Sequence, residues 1–421
     1  MPVRVQTPTV PEEVIVSNFT QHVFTISLIL SLLVGSLAGM LLLRGMKRPK
    51  WLVPYCVFAM LVHLLWLGWP VLSPRVMDVA RWGFAIWLGT VLVAAALLPL
   101  LVLAVAFARI RGKQRSRHVP AAYAATCLIC GVALCLGGAS FRVREETVFV
   151  AGLDPRLDGF RVANFGDVHV DRFIAPADLG DAVRTIAGCD VDVLAVTGDL
   201  IDDFRLIEPT LDALDDPRIP AIVAIIGNHE KMGNLAPVLN AYRSRGDRFS
   251  LLIDSSTAVS RAGARVHFVG VDYAMGADGG HMLPAAEQKR IMARQAESAF
   301  PKTGLGEPVI ALSHHPEFFP AAASQGAHLT LSSHTHGGQV KVFGRPLISA
   351  YDYMSGRYEA DNKHLDVSAG FGHWLPLRLG VPREVVIVTL RTPKRSEQVA
   401  PEKPIRHVGR GFSGSTQAMR S

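Results

Sequence analysis

Five short polar clusters follow apolar runs in the part of the chain after residue 160, and each contains residue types that bind metal ions. They are Gly166-Asp167-Val168-His169, Gly198-Asp199, Gly227-Asn228-His229-Glu230, Ser313-His314-His315-Pro316 and Ser332-Ser333-His334-Thr335-His336-Gly337-Gly338. One such cluster is a weak signal, because D-x-H and H-x-H pairs arise by chance in a chain with 15 histidines. All five in succession, each directly after an apolar run, indicate a metal site.

The residue types in the clusters restrict the chemistry of that site. Carboxylate, amide and imidazole ligands suit Mn²⁺, Fe and Zn²⁺, and the lack of a cysteine among them argues against a structural zinc. Two such ions about 3.5–4 Å apart can clamp a phosphate group, neutralise its charge and activate a water molecule. Two ions at so short a distance need a carboxylate that binds both of them. The clusters therefore predict two-metal chemistry on a phosphate ester.

The apolar runs before the clusters predict β-strands. These strands are expected at Phe160–Phe165, Val191–Thr197, Ala221–Ile226, Val309–Leu312 and Ala327–Leu331. Helices are predicted between them at Pro176–Ala187, Leu235–Ser244 and Ala285–Ser298. This alternation is typical of an α/β fold, in which strand ends converge on a site. A second set of strands is predicted at Ala264–Val271, Gln339–Phe343 and Glu384–Leu390.

The first 140 residues hold an excess of apolar side chains, within a chain whose mean hydropathy is +0.27. Four apolar stretches approach or exceed the length of about 20 residues that a membrane-spanning helix needs. They lie near Val23–Leu43, Leu52–Leu72, Phe84–Ala106 and Ala121–Gly138. They predict an all-α, four-helix transmembrane region, and residues 1–20 lack the basic start of a cleavable signal peptide.

Basic residues in the loops at 44–50 and 109–117 predict that these loops face the cytoplasm. They also account for much of the net charge of +7 without a nucleic-acid partner. With four spans, the rest of the chain lies outside, which is the periplasmic side of a bacterial inner membrane. The fourth span is rich in Ala, Gly and Cys; if it is a buried helix instead, the rest of the chain faces the cytoplasm. The predicted division is an N-terminal segment at 1–20, an anchor at 21–140, a catalytic domain at 141–391 and a disordered basic tail at 392–421.

Taken together, the clusters resemble the calcineurin-like metallophosphoesterase family over about residues 147–391. His334-Thr335-His336-Gly337-Gly338-Gln339 and the segment Leu375–Pro382 are similar to its membrane-associated or exported bacterial branch. The resemblance implies a β-sandwich flanked by helices and a hydrolase of phosphoric esters. One residue departs from the family pattern, because Ser333 stands where a glycine usually precedes the H-x-H pair.

The resemblance also implies roles for individual residues. The implied metal ligands are Asp167, His169 and His336 for one ion, Asn228, His314 and His334 for the other, and Asp199 as the bridge between them. His229 would contact the phosphate and stabilise its charge or protonate the leaving oxygen. His315 would not be a ligand. Two divalent ions are expected, with Mn²⁺ favoured and Fe or Zn²⁺ as alternatives.

Four residues near these motifs have open roles. Asp202 and Asp203 are expected either to support the site or to lie in a solvated loop. Trp374 and Arg378 either line a substrate groove or are a packed aromatic ring and a surface arginine. The segment Gly276–Gly280 is predicted to be a flexible loop.

Other functions remain open at this stage. A nuclease would need basic and aromatic residues interleaved along a groove, and residues 147–391 contain no such run, so no nucleic-acid partner is expected. A non-catalytic membrane sensor or scaffold with a vestigial site would lack ligands, yet none is missing. A transport path would need more ionisable residues in the spans than His63, which favours anchoring. The substrate is a phosphodiester, a phosphomonoester or a pyrophosphate, and the anchor favours one that is lipid-linked; the oligomeric state stays open.

Overall fold

A computed structural model describes residues 18–42, 52–67, 74–110, 118–138, 140–171, 173–233, 235–276, 283–304, 306–347, 349–373 and 377–393. Several predicted features lie outside these residues. They are the segment before residue 18, the basic loop at 44–50, most of the loop at 109–117, most of the Gly276–Gly280 loop, Trp374 and the tail from residue 394.

Four helices occupy the positions of the four predicted spans. They are α1 at Asn18–Leu42, α2 at Leu52–Leu67, α3 at Pro74–Ile110 and α4 at His118–Leu136. One stretch, Trp82–Phe107 in α3, is long and apolar enough to cross a membrane, and only 11% of its most apolar window is buried. The described apolar parts of the other three helices have 10–17 residues. One candidate span is therefore found, and the other three stay a prediction.

The rest of the described chain alternates strands with helices, as expected. The strands are β1 Phe141–Phe149, β2 Arg161–Phe165, β3 Val193–Thr197, β4 Ala221–Ile225, β5 Phe249–Leu251, β6 Ser255–Arg261, β7 Ala264–Gly270, β8 Val309–Leu312, β9 Leu329–Ser332, β10 Lys341–Val342, β11 Arg345–Pro346, β12 Gly356–Ala360, β13 Lys363–Val367 and β14 Arg383–Arg391. The helices are α5 Pro176–Ala187, α6 Ile207–Leu214, α7 Asn228–Met232, α8 Leu235–Arg243, α9 Ala285–Ala299 and α10 Phe319–Ser324.

Two six-stranded sheets carry the fold. The first has the order β1-β14-β2-β3-β4-β5, and β2 to β5 run parallel. The second has the order β12-β13-β9-β8-β7-β6, with β13, β9, β8 and β7 parallel. β10 and β11 form a separate antiparallel hairpin.

Side-chain alternation along the strands builds the layers, because successive residues point to opposite faces of a sheet. In β3, Val193 belongs to the core between the two sheets, which also contains Phe268 of β7. Leu194, the next residue, packs in the core that contains Leu179 of α5. The outer face of the second sheet packs on α9 through Met292. The result is the expected β-sandwich with helices on both outer faces.

The three strands predicted as a second set are present, in whole or in part, but they do not share one sheet. Ala264–Val271 corresponds to β7 in the second sheet, but Glu384–Leu390 lies within β14, in the first sheet between β1 and β2. Gln339–Phe343 contributes only the two residues of β10 to the hairpin. Apolar patterning identifies a strand, but its partner is set by contacts distant in sequence. Two of the five strands before the clusters, β8 and β9, belong to the second sheet instead.

The helices before residue 138 contact the sandwich directly. The backbone N–H of Arg378 donates to the carbonyl of Leu134 in α4, at 2.8 Å. Phe84 and Leu88 of α3 form one apolar cluster with Phe173 and Leu377. The segment that contains Leu377 and Arg378 is thereby held between the helices and the sheets.

Gly372 marks a close crossing that positions the first cluster. The N–H groups of Phe371 and Gly372 donate to the carbonyls of Gly166 and Asp167, at 3.0 and 2.7 Å. A Cβ atom at Gly372 would lie 1.7 Å from the carbonyl oxygen of Val168. Only glycine allows the two backbones to approach this closely.

We expect Gly372→Ala to lower the free energy of unfolding by about 3 kcal/mol, because the added methyl group must push two backbones apart. Gly180→Ala in α5 is the matched control, since its Cβ would meet only the Arg184 guanidinium at 3.5 Å. The control should change stability by no more than about 1 kcal/mol, in the stabilising direction. Urea unfolding of the full chain in detergent measures both. Equal stability of the two variants would show that the crossing is not tight.

Candidate metal centre

The five clusters meet at the carboxyl ends of parallel strands from both sheets. Three of them follow β2, β3 and β4, and two follow β8 and β9. The N–H of Asp167 donates to the carbonyl of Gly198 at 3.1 Å, which joins the first two clusters. The N–H of His334 donates to Asp167 Oδ1 at 2.9 Å, which joins the two sheets. The site therefore lies where the two layers of the sandwich meet.

The backbone at the site is held in an unusual conformation. Five cluster residues other than glycine have positive φ angles, and they are Asp167, His169, Asp199, His334 and His336. Left-handed backbone costs a non-glycine residue roughly 1–2 kcal/mol. Such strain persists only where the surrounding structure enforces it, and it concentrates at functional sites.

The first group of side chains comprises Asp167, His169 and His336, whose potential ligand atoms lie within 4.8 Å of one another. His169 Nε2 and His336 Nε2 face each other at 3.1 Å. His336 Nε2 is 3.8 Å from Asp167 Oδ2. That carboxylate oxygen is buried and has no hydrogen-bond partner in the described part of the chain.

The second group comprises Asp199, His314 and His334, again within 4.8 Å. His314 Nε2 lies 3.1 Å from Asp199 Oδ2 and 3.1 Å from His334 Nδ1. Asn228 adjoins this group, because the next residue, His229, donates its N–H to Asp199 Oδ1 at 2.9 Å. Asn228 Oδ1 is buried without a hydrogen-bond partner among the described residues. Six of the predicted ligands are thus brought together in these groups, and Asn228 lies next to a residue that contacts Asp199.

The orientation of His314 is set by a buried carbonyl. Its Nδ1 lies 2.8 Å from the carbonyl oxygen of Thr197, so this nitrogen carries a hydrogen and Nε2 faces the group. Ser333, the departure from the family pattern, donates its hydroxyl to the same carbonyl at 2.8 Å. Gly166 leaves room for that hydroxyl, since a Cβ there would lie 2.6 Å from Ser333 Oγ. The serine therefore fits without displacing a predicted ligand.

Asp202, whose role was open, supports the site. Its Oδ1 lies 3.1 Å from His169 Nδ1 and 2.8 Å from His229 Nδ1. A carboxylate only accepts hydrogen bonds, so both Nδ1 atoms carry hydrogen and both Nε2 atoms face the centre. Burial alone would raise the pKa of Asp202, but His229 and His169 hold it well below its usual range.

His229 lies at the edge of the centre and is partly exposed. Its Nε2 is 3.9 Å from Asp199 Oδ2, and it also falls within 4.8 Å of potential ligand atoms of His169 and Asp199. Burial lowers its pKa, but the carboxylates of Asp202 and Asp199 outweigh this and raise the pKa to about 10. In the metal-free protein the ring is therefore a cation at neutral pH. The position accommodates both a proton donor and a further ligand.

Glu230, the last residue of the third cluster, supports the centre although its motif indicated no role for it. Its buried carboxylate accepts hydrogen bonds from the backbone N–H groups of Asp199, Leu200, Ile201 and Gly227, at 2.6 to 3.2 Å. It thereby joins the loop after β3 to the start of α7. The signal was an acidic residue in the first turn of a helix, where it binds free N–H groups.

Two tyrosines distant in sequence also contact the centre. The Tyr351 hydroxyl lies 2.9 Å and the Tyr273 hydroxyl 3.3 Å from His334 Nε2, which leaves Nδ1 facing the metal-binding group. No motif contains these tyrosines, so only the folded chain reveals them. His315 Nδ1 accepts a hydrogen bond from the N–H of Glu317 at 3.3 Å, and its exclusion from the ligands stays a prediction.

Arg378 is not the surface arginine that was considered. It is fully buried, and its guanidinium donates to the carbonyls of Ala369 and Gly370 at 2.9 and 3.3 Å. Its Nη2 also lies 3.3 Å from His336 Nδ1. Burial lowers the pKa of Arg378 to about 10, which leaves it charged at neutral pH. Its observed partners are therefore a backbone loop and a predicted ligand.

The chain is similar in sequence to a family of phosphoesterases and to several bacterial proteins. A family model described as calcineurin-like phosphoesterase matches residues 160–338. The uncharacterized metallophosphoesterase YkuE of Bacillus subtilis is 26% identical over 260 residues, which cover 59% of this chain and 85% of the relative. An uncharacterized metallophosphoesterase of Helicobacter pylori is 26% identical over 255 residues, covering 59% of this chain and 64% of the relative. The phosphodiesterase YaeI of Escherichia coli is 24% identical over 242 residues, covering 55% of this chain and 82% of the relative.

The matched region contains all five clusters, and the family it represents uses divalent metals. The buried carboxylate and amide oxygens without partners, and the imidazole nitrogens that face one another, are the features such ions require. Residues 160–338 therefore match the calcineurin-like phosphoesterase family, and the similar bacterial proteins indicate a phosphoester hydrolase.

Proposed function

We propose that this chain is a membrane-anchored, two-metal phosphoesterase that hydrolyses a phosphodiester, a phosphomonoester or a pyrophosphate. The observation that carries the proposal is the position of Asp199 between two groups of ligand atoms. Its Oδ2 lies 3.1 Å from His314 Nε2 on one side and 3.7 Å from His169 Nε2 on the other. A single carboxylate at that position can serve two ions at once.

Seven side chains would hold the ions. They are Asp167, His169 and His336 for one ion, Asn228, His314 and His334 for the other, and Asp199 for both. The ions would supply charge neutralisation of the phosphate and activation of the attacking water. Mn²⁺ is favoured by the mixture of carboxylate, amide and imidazole ligands, and Fe and Zn²⁺ accept the same set.

In this proposal His229 acts on the substrate and not on the metal. Asp202 holds the hydrogen on Nδ1, so the second ring hydrogen of the charged form sits on Nε2, which faces the centre. Burial lowers the pKa of His229, but Asp202 and Asp199 raise it to about 10 in the metal-free protein, which favours the charged form. From there the ring would donate to a phosphate oxygen or protonate the leaving oxygen. General acid catalysis of this kind contributes about 10²–10⁴-fold in rate.

The membrane part of the proposal is supported by the apolar stretch Trp82–Phe107, which is long enough to cross a bilayer and mostly unburied. We propose that the other three helices also cross the membrane, in the orientation that the basic loops predict. The metal centre then lies on the outer face of the membrane. An outer-face position favours a lipid-linked or envelope phosphate ester as substrate.

Asp199→Asn should abolish metal-dependent hydrolysis with little loss of stability, because the amide preserves the shape but not the charge shared by two ions. Full-length protein in detergent is assayed with Mn²⁺ on a generic phosphodiester, a phosphomonoester and a lipid pyrophosphate. Asp203→Asn, in the loop four residues on, is the matched control and should retain activity. Full activity of Asp199→Asn on any of the three substrates would refute the bridging role.

His229→Ala should retain its metal and lose most of its turnover, by about 10²–10⁴-fold in kcat. Elemental analysis of the purified protein measures metal content alongside kcat. The control is His267→Ala, which removes a histidine of β7 that is hydrogen-bonded to Glu307. It should leave metal content and kcat near the wild-type values. Collapse of the metal content in His229→Ala would instead identify His229 as a ligand.

A reporter fused after residue 145 tests the predicted orientation. Alkaline phosphatase folds into its active form only outside the cytoplasm, whereas a green fluorescent protein exported in unfolded form is dark. With four spans the phosphatase fusion should be active and the fluorescent fusion dark. The reverse pattern would overturn the predicted topology.

A further inference from the structure

The β10–β11 hairpin exposes apolar side chains that nothing in the described part of the chain covers. Phe343, at its turn, is 100% exposed, Leu347 is 69% exposed and Val342 is 44% exposed. Leu379, which is 41% exposed, lies on the neighbouring segment that pairs with Val340 at the base of the hairpin. We refer to these four residues as the apolar tip. Apolar side chains exposed together in this way mark an interaction surface.

The apolar tip is tied to the apolar helices through continuous contacts. The N–H of Lys341 donates to the carbonyl of Leu379 at 2.7 Å, and the N–H of Arg378 donates to the carbonyl of Leu134 in α4 at 2.8 Å. Hairpin, segment and helix end are therefore joined by two successive backbone hydrogen bonds.

The position of Leu377 shows how far along α3 the segment that carries Leu379 makes contact. A Cβ atom on Gly89 of α3 would lie 3.1 Å from Leu377 Cδ2. Gly89 lies seven residues after Trp82, where the candidate span begins. Seven residues advance a helix by about 10 Å, so Leu377 lies beside the span and not beyond its end. The segment that carries Leu379 thus reaches the level at which a bilayer would begin.

The charges around the apolar tip also favour a lipid surface. Lys341 and Arg345 flank the turn, whereas residues 337–347 and 377–383 contain no acidic side chain. Cationic residues beside exposed apolar ones are the combination that binds the boundary between anionic headgroups and acyl chains. A protein partner would need no such charge bias.

We propose that the apolar tip inserts into the surface of the same bilayer that holds the helices, and that it thereby presents the metal centre to phosphate groups at that surface. The hairpin begins five residues after the predicted ligand His336. Docking of the hairpin on the bilayer therefore brings the metal centre close to that surface. The inference rests on the proposed membrane attachment and narrows the proposed substrate to a phosphate ester carried on a lipid.

The test compares tryptophans placed at two exposed phenylalanines of the full chain in vesicles. Phe343→Trp reports on the apolar tip. Phe149→Trp is the matched control, because Phe149 is 40% exposed but lies at the far end of β1, eight residues beyond its start near α4. Eight residues of strand span about 26 Å. The vesicles contain phosphatidylcholine and phosphatidylglycerol, with or without bromine on the acyl chains, and the unsubstituted protein gives the emission of its six native tryptophans.

Docking predicts that the added emission of Trp at 343 shifts to the blue, is mostly lost in brominated vesicles and resists acrylamide in water. The added emission at 149 should show the opposite behaviour. Equal quenching of both positions by acrylamide would overturn the proposal, and protection from both quenchers at 343 would overturn it in favour of a protein covering. Flotation with the vesicles reports the anchoring separately, and hydrolysis of a soluble diester by both variants reports the metal centre separately.

Discussion

Charge confined in a buried space is the constraint on which this structure depends. Asp167 and Asp199 are almost wholly buried and lie in overlapping groups of ligand atoms with five histidines. Burial raises the pKa of Asp167, whereas His314 and the other neighbouring histidines hold the pKa of Asp199 well below its usual value. An isolated carboxylate in such a position would cost several kcal/mol or more. Divalent ions remove that cost, so the same arrangement that is unfavourable without metal is suited to binding it.

The sandwich exists at this point because two sheets supply ligands to one place. β3 and β4 bring Asp199 and Asn228, while β8 and β9 bring His314 and His334. Neither sheet alone holds a complete set for two ions. The apolar core between the sheets, built on residues such as Val193 and Phe268, therefore sets the geometry of the metal centre as well as the stability of the fold. A change in that core would alter the distances among ligands.

Around the ligands, a layer of polar contacts fixes which ring nitrogen faces inward. Asp202 accepts hydrogen bonds from two histidines, and the carbonyl of Thr197 accepts one from His314. Buried Glu230 and Arg378 hold the loops by hydrogen bonds to backbone N–H and carbonyl groups, respectively. The backbone N–H of Arg378 also contacts α4. This residue therefore links the loop beside the metal centre to the part of the protein that we propose lies at the membrane.

The sequence by itself determined the strands that precede the five clusters, the three main helices of the catalytic part and the set of predicted ligands. Those features are local: an apolar run followed by a metal-binding cluster is visible within ten residues. Tertiary structure decided which strands share a sheet, since β14 inserts between β1 and β2 through pairing across more than 200 residues. It also decided the roles of Asp202, Tyr351 and Arg378, because a hydrogen bond between residues distant in sequence leaves no periodic or spacing signal. Membrane topology beyond Trp82–Phe107 stays a prediction, because hydropathy and charge describe a preference for lipid and not the lipid itself.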